Sequence, residues 1–225
     1  MMQKNHRPSK RERRVDVVRL IKVLRKATRP LNQPMAYTIE QEYGNDPYLN
    51  LISCLLSLRS RDTVTLPICR TLFSRVTTPK QMVRLPIATL EHIIHSTGFY
   101  RQKARTLISV SKELITRFNG KVPKTEEELR SIKGIGQKTA NLVLGISYGI
   151  PGVYVDTHVH RLANALGLVS TKTPEQTQEQ LKTVVPKRYW NELCHLLVIW
   201  GQQVPRREQI PRLRKLLGTK NKAPG

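Results

Sequence analysis

Two short segments hold residues whose types and spacing could do chemistry. One is Leu129-Arg130-Ser131-Ile132-Lys133-Gly134-Ile135-Gly136-Gln137-Lys138-Thr139-Ala140; the other, one helix's worth of residues later, is Val155-Asp156-Thr157-His158. Gly134 and Gly136 flank Ile135, so two positions lack a Cβ and can take positive φ. Such a turn leaves backbone N–H groups exposed at the start of the next helix. Those donors and the helix dipole together suit an anion such as a phosphate. Ile135 is expected to pack inward and hold the turn shut. A plain packing corner between two helices would need the same glycines, so it stays open on these residues alone. Lys138 falls in the first turn of the second helix. The positive end of a helix and partial burial each favour an uncharged amine, which can attack carbon. A solvated lysine resting on a phosphate is the ordinary alternative. Asp156 reads as a helix N-cap. That role needs no catalysis, yet it keeps a carboxylate ionised and fixed in direction beside any cationic transition state.

The elements that must position these residues all read as helices. Val17, Leu20, Ile21, Leu24 and Ala27 form a stripe that stops at Arg29-Pro30. The stretch from Leu31 to Asn45 contains Pro34 and Gly44 and reads as a linker between domains. Leu49 to Leu58 is nearly all apolar and predicts a helix buried on most sides. Asp62 to Arg75 predicts a helix kinked at Pro67. Thr78-Pro79 and Thr173-Pro174 are cap-plus-first-position pairs, and Thr125 with Glu128 fits a capping box. Thr97-Gly98 and Asn119-Gly120 mark helix ends, and Pro186 precedes a last apolar helix through Trp200. No alternating strand pattern of useful length is present.

Gly134-Ile135-Gly136-Gln137-Lys138-Thr139-Ala140-Asn141 and Val155-Asp156-Thr157-His158 resemble the helix–hairpin–helix and catalytic loop of the endonuclease III family of DNA glycosylases. Leu55-Leu56-Ser57 with Asp62, Thr97 to Ala104, and Phe118 to Pro123 resemble further segments of that family, so the likeness runs from about Asn45 to Gly201. The resemblance implies an all-α fold of two helical lobes with the active site in the cleft between them. One lobe, of six helices, would span residues 40–150 and contain the helix–hairpin–helix at 125–149. The other would join 1–39 to 151–225. It also implies a base-excision glycosylase with abasic-site lyase activity on oxidised pyrimidines. Lys138 would attack C1′ and form a Schiff base, Asp156 would assist, and the base would leave the stack for a pocket. Gly134, Ile135, Gly136, Gln137, Thr139 and His158 would contact DNA.

Two departures from the family pattern stand out. Ser57-Leu58-Arg59-Ser60-Arg61-Asp62 places Arg59 where the family commonly has a glutamine that fills the gap left by the flipped base. Arginine can stack on bases and donate to their edges, so the role can survive with a different opposite-base preference. Phosphate contact by Arg59 and Arg61 remains the alternative. Typical members also hold a [4Fe–4S] cluster on four C-terminal cysteines. The corresponding positions here are Pro205, Arg212, Lys215 and Asn221. The chain's three cysteines, Cys54, Cys69 and Cys194, sit in apolar helical contexts. A cluster-free member is therefore expected, with Ile210, Leu213, Leu216 and Leu217 packing the tail. His92, His95, His158, His160 and His195 have no companion ligand pattern, so no metal site is expected.

The formal net charge of +23 over 225 residues suits a polyanionic partner. It concentrates in Lys10 to Arg29 and in Arg206 to Lys222. Charge alone does not separate DNA from RNA, an acidic protein or an anionic membrane surface. With the motifs, the expected partner is double-stranded DNA containing a damaged base or abasic site, bound by a monomer. No apolar run of roughly 18 residues predicts a membrane span. The basic start lacks an apolar signal core, and wide cysteine spacing suits a reducing compartment. A prokaryotic cytoplasm, with the protein on the nucleoid, is the expected location. The other readings are a glycosylase for mismatched or deaminated bases, and a non-catalytic helix–hairpin–helix DNA-binding module.

Overall fold

A computed structural model describes residues 15–218; the block Lys10–Arg14 and Asn221 lie outside the described residues. Thirteen α-helices follow one another there, with no strand among the described residues. In order they are α1 Val17–Thr28, α2 Met35–Tyr43, α3 Pro47–Ser57, α4 Asp62–Phe73, α5 Pro79–Arg84, α6 Ile87–Ile94 and α7 Tyr100–Phe118. The remainder are α8 Glu126–Arg130, α9 Gln137–Tyr148, α10 Thr157–Ala165, α11 Pro174–Val184, α12 Trp190–Gln203 and α13 Arg206–Leu216.

Side-chain caps set many of the starts. Asp16 Oδ1 accepts from the N–H groups of Val18 and Arg19, and Asp46 Oδ1 does the same for Tyr48 and Leu49. Thr78 and Gln81 form a full capping box on α5. The box expected at Thr125 is only half made. Thr125 Oγ1 accepts from Glu128 N, but the Glu128 carboxylate accepts from the Thr125 hydroxyl rather than from backbone. Pro67 is tolerated inside α4, and Pro211 inside α13.

The reading of 31–45 as a linker is wrong. Pro34 occupies the N-cap position of α2 instead of breaking it, and Met35, Ala36 and Ile39 are buried. The first N–H of that helix, at Met35, donates to Asp62 Oδ2 at 3.1 Å. That cap arrives from 27 residues downstream, so no local pattern announces it.

The buried side chains fall into two apolar clusters. The first gathers α2 to α9. The second gathers α1, Val153-Tyr154-Val155 and α10 to α13. The chain therefore leaves the second cluster after α1 and returns to it after α9. Because the buried residues of α2 belong to the first cluster while Leu31 still packs on the second, the outward passage is the short stretch 32–34. Polar contacts tie the clusters together. Tyr37 and Tyr154 hydroxyls lie 3.1 Å apart, the Tyr37 and His195 rings are 3.7 Å apart at their centroids, and Gln202 Nε2 donates to Asp62 Oδ2 at 3.2 Å.

Candidate active site and nucleic-acid interface

The hairpin is held from inside and outside. Ile135 is buried in the first cluster, as its flanking glycines suggested. On the outer side, Arg117 of α7 donates to Ser131 O and Oγ, and Glu113 Oε1 accepts from Lys133 N at 3.3 Å. Only one of the two glycines takes positive φ. Gly134 has φ 101°, and a Cβ there would stand 2.8 Å from Thr106 Cγ2. Gly136 has φ −86° and is the N-cap of α9, with open space where a Cβ would go. No side chain caps α9. Its first-turn N–H groups therefore have no helical or side-chain partner, and the helix dipole lies behind them.

Lys138 is the second residue of α9 and is exposed, so the partial burial expected of it is not found. Thr139 is buried, which leaves only its backbone N–H for a ligand; Ile135 is buried too, and its N–H already donates to Ile132 O at 3.1 Å. Gln137 is half-buried. The Lys138 charge reaches Cys54 in α3: burial pushes that thiol up to about 12, and Lys138 opposes the rise while Asp62 adds to it.

Asp156 N-caps α10, its Oδ1 accepting from Val159 N at 2.8 Å, and is half-buried. The extended strap before it is pinned by Asn191 of α12, which accepts from Gly152 N at 2.7 Å and donates to Ile150 O at 3.1 Å. A Cβ on Gly152 would lie 2.6 Å from Asn141 Oδ1. The strap that carries Asp156 therefore presses on α9 three residues after Lys138.

His158 packs its ring on α12, since a Cβ at Gly201 would fall 2.5 Å from His158 Nδ1. It also lines a cavity of about 540 Å³ with Arg161, Gln202, Pro205, Arg206 and Gln209. Burial, and then the Arg206 charge, push the Arg161 guanidinium below its ordinary value. Two guanidinium groups facing one cavity suit a phosphate.

The tail is clamped by Gln209, which is buried. Its Nε2 donates to Gly201 O at 3.0 Å and Val204 O at 2.6 Å, its Oε1 accepts from Arg161, and its carbonyl accepts from Trp200 Nε1 at 3.1 Å. Leu213 and Leu217 are buried and Ile210 packs on them as expected, but Leu216 is 51% exposed. Pro205 is the N-cap of α13 and Arg212 pairs with Glu208. These side chains do not fit a four-thiolate cluster. The three cysteines are free and buried in α3, α4 and α12, with burial raising each thiol to about 12. Among the described residues no group of three or more His, Cys, Asp or Glu side chains is placed to hold a metal ion.

Two residues beside Arg59 carry more than their sequence suggested. Phe99 is 65% exposed at φ 58°, and Arg59 at φ 55° lays its guanidinium carbon 5.5 Å from the Phe99 ring centroid. Lys103, which near the start of a helix reads from sequence as either groove lining or ordinary helix surface, is instead buried, and desolvation pushes its amine down to about 8. A Gly-aromatic pair before a helix was the only local sign of Phe99. Nothing local marks Lys103, because its partners lie over 40 residues upstream.

The fold and site agree with comparisons to known proteins. Residues 52–187, more than half of the chain, match the family described as HhH-GPD superfamily base excision DNA repair protein. Endonuclease III of Thermotoga maritima is 40% identical over 159 residues, 71% of this chain and 75% of that protein. Endonuclease III of Bacillus subtilis is 32% identical over 175 residues, 75% of this chain and 80% of that one. Among solved structures, a non-covalent endonuclease III–DNA complex superposes with TM-score 0.74 at 27% identity, covering 86% of this chain and 95% of its own. The helix–hairpin–helix fold and these relatives make the class plain, and within the HhH-GPD superfamily the chain belongs to the endonuclease III family.

Proposed function

We propose that this chain is a base-excision DNA glycosylase with abasic-site lyase activity, acting on oxidised pyrimidines in duplex DNA as a monomer in a prokaryotic cytoplasm. One observation carries the reading. An exposed lysine stands in the uncapped first turn of a hairpin helix, and the strap bearing Asp156 is pressed against that same helix. The α9 N–H groups hold a backbone phosphate. The Lys138 amine attacks C1′ of the everted nucleotide, the glycosidic bond breaks, and the base leaves with the bonding electrons. Loss of one amine proton lets the nitrogen lone pair break the C1′–O4′ bond, O4′ takes up a proton, and the opened sugar is left as a Schiff base. Removal of a C2′ proton then expels the 3′ phosphate, and water frees the lysine. Asp156, fixed by its cap bond, steadies the positive charge that develops at the sugar. Phe99 and Arg59 enter the stack where the base departs, as apolar wedges and arginines do elsewhere. The two arginines beside His158 meet the backbone. No iron–sulfur cluster takes part, because the tail offers no thiolates and is held by Gln209 instead.

A trapped endonuclease III–DNA covalent intermediate, 29% identical with TM-score 0.68, supports the covalent route. The test is borohydride trapping on a duplex with an abasic site. Native chain should give a covalent adduct, and Lys138→Ala should give none. Full adduct yield from Lys138→Ala would remove the lysine from the chemistry. Arg59, in the place of a glutamine, favours a second reading as a glycosylase of mismatched or deaminated bases. Thymine glycol, uracil and 8-oxoguanine, each opposite all four bases, separate the two.

A further inference from the structure

Lys103 lies near the start of α7 and is 8% exposed. An ammonium that deep usually sits against a carboxylate. Among the described residues none lies within ion-pair distance of it. Instead its Nζ donates to Leu56 O at 2.7 Å and to Ser60 Oγ at 2.8 Å. Leu56 O belongs to the last turn of α3, where carbonyls lack helical partners and positive charge is favoured. Ser60 Oγ also accepts from Gly98 N at 3.3 Å. One hydroxyl thus joins the α3–α4 loop to the α6–α7 loop. The two backbones touch, since a Cβ on Gly98 would lie 3.3 Å from Arg59 O.

Each loop carries at its tip a non-glycine residue in the left-handed region, Arg59 at φ 55° and Phe99 at φ 58°. Such backbone persists only where the surroundings impose it. Burial does not hold these tips, because both side chains are exposed. What does hold them is the Lys103–Ser60–Gly98 set behind them.

We propose that Lys103 and Ser60 form a positioning latch that pre-orders Arg59 and Phe99 as one probe of the base stack. The two side chains then enter the duplex together, at the place a nucleotide leaves. This rests on the reading of the chain as a glycosylase that everts its target. The latch residues do not touch the reacting atoms; they act through Arg59 and Phe99. A mere cap on α3 would need only the Leu56 carbonyl and would be indifferent to the Ser60 hydroxyl.

Ser60 therefore separates the two roles. The full chain is compared with Ser60→Ala, Ser60→Thr and Lys103→Met on a duplex holding thymine glycol opposite 2-aminopurine. KM, kcat and the rise in 2-aminopurine fluorescence are read, beside borohydride trapping on a preformed abasic site. Ser60→Ala should raise KM about tenfold and flatten the fluorescence rise, with abasic-site trapping kept within about threefold. Ser60→Thr, which keeps the hydroxyl, should restore both. If Lys103→Met loses its cooperative unfolding transition, Ser60→Ala decides alone. Native-like KM and fluorescence in Ser60→Ala overturn the latch. A native chain that yields no adduct on any duplex overturns the glycosylase reading first, and the latch with it.

Discussion

Asp156 does two jobs that one substitution separates. Its Oδ1 accepts from Val159 N and starts α10, and asparagine caps a helix about as well as aspartate. Asp156→Asn should therefore leave thermal unfolding within about 1 kcal/mol of native. If the carboxylate charge is what steadies the sugar cation, the same variant should lose about a hundredfold in single-turnover base release. Undiminished release would return Asp156 to a purely structural cap. The hairpin glycines part in a similar way. Gly134→Ala meets both a forbidden φ and Thr106, so it should destabilise the fold by about 1–3 kcal/mol. Gly136→Ala meets neither, and should unfold close to native. A loss of duplex affinity in Gly136→Ala without a loss of stability would mean that the missing Cβ makes room for phosphate. Unchanged affinity would place the anion elsewhere.

Among the elements, the tail is where this chain parts from its relatives' pattern. Gln209 satisfies two carbonyls at the end of α12 and holds the Arg161 guanidinium, so one amide links α10, α12 and α13. Gln209→Ala leaves those groups unpaired inside the protein and should cost about 2–4 kcal/mol in thermal or denaturant unfolding. Chain produced with and without added iron should melt at one temperature and carry no cluster absorbance; iron-dependent stability would refute a thiolate-free tail. Helices with their own caps, such as α5 behind Thr78-Pro79 and α11 behind Thr173-Pro174, were legible because cap and first-position proline are neighbours in sequence; α3 was legible from its apolar run, but its Asp46-Pro47 start was not. The hairpin and its inward Ile135 were legible for the same local reason. The α2 helix was not, because its cap comes from Asp62 across the fold. Lys138's exposure and Lys103's burial were also hidden. The same residue type near a helix start goes either way, according to which loop packs over it.

At the scale of the whole molecule, the two apolar clusters meet at Tyr37, Tyr154 and His195. Tyr154 is two residues before Asp156, so this seam supports the strap that carries the candidate acid. Burial pushes the Tyr37 hydroxyl up to about 12 and Tyr154 far above its ordinary value, so both stay neutral. His195 is pushed down to about 4 from 6.5 by burial, partly opposed by Glu192, and its Nδ1 has no hydrogen-bond partner among the described residues. Folded His195 thus takes a proton only near pH 4, whereas the unfolded chain takes it near 6.5. Between those values the unfolded state binds more protons, so stability must fall as pH drops through that window. The loss from this one group should be about 2 kcal/mol between neutral pH and pH 5. Most carboxylates have not yet titrated there. His195→Phe keeps a ring against Tyr37 and removes the proton site. Its unfolding free energy should be flatter from pH 7 to pH 5 than that of the native chain. If both chains show the same slope, His195 stays neutral for another reason and the seam is not the acid-sensitive joint.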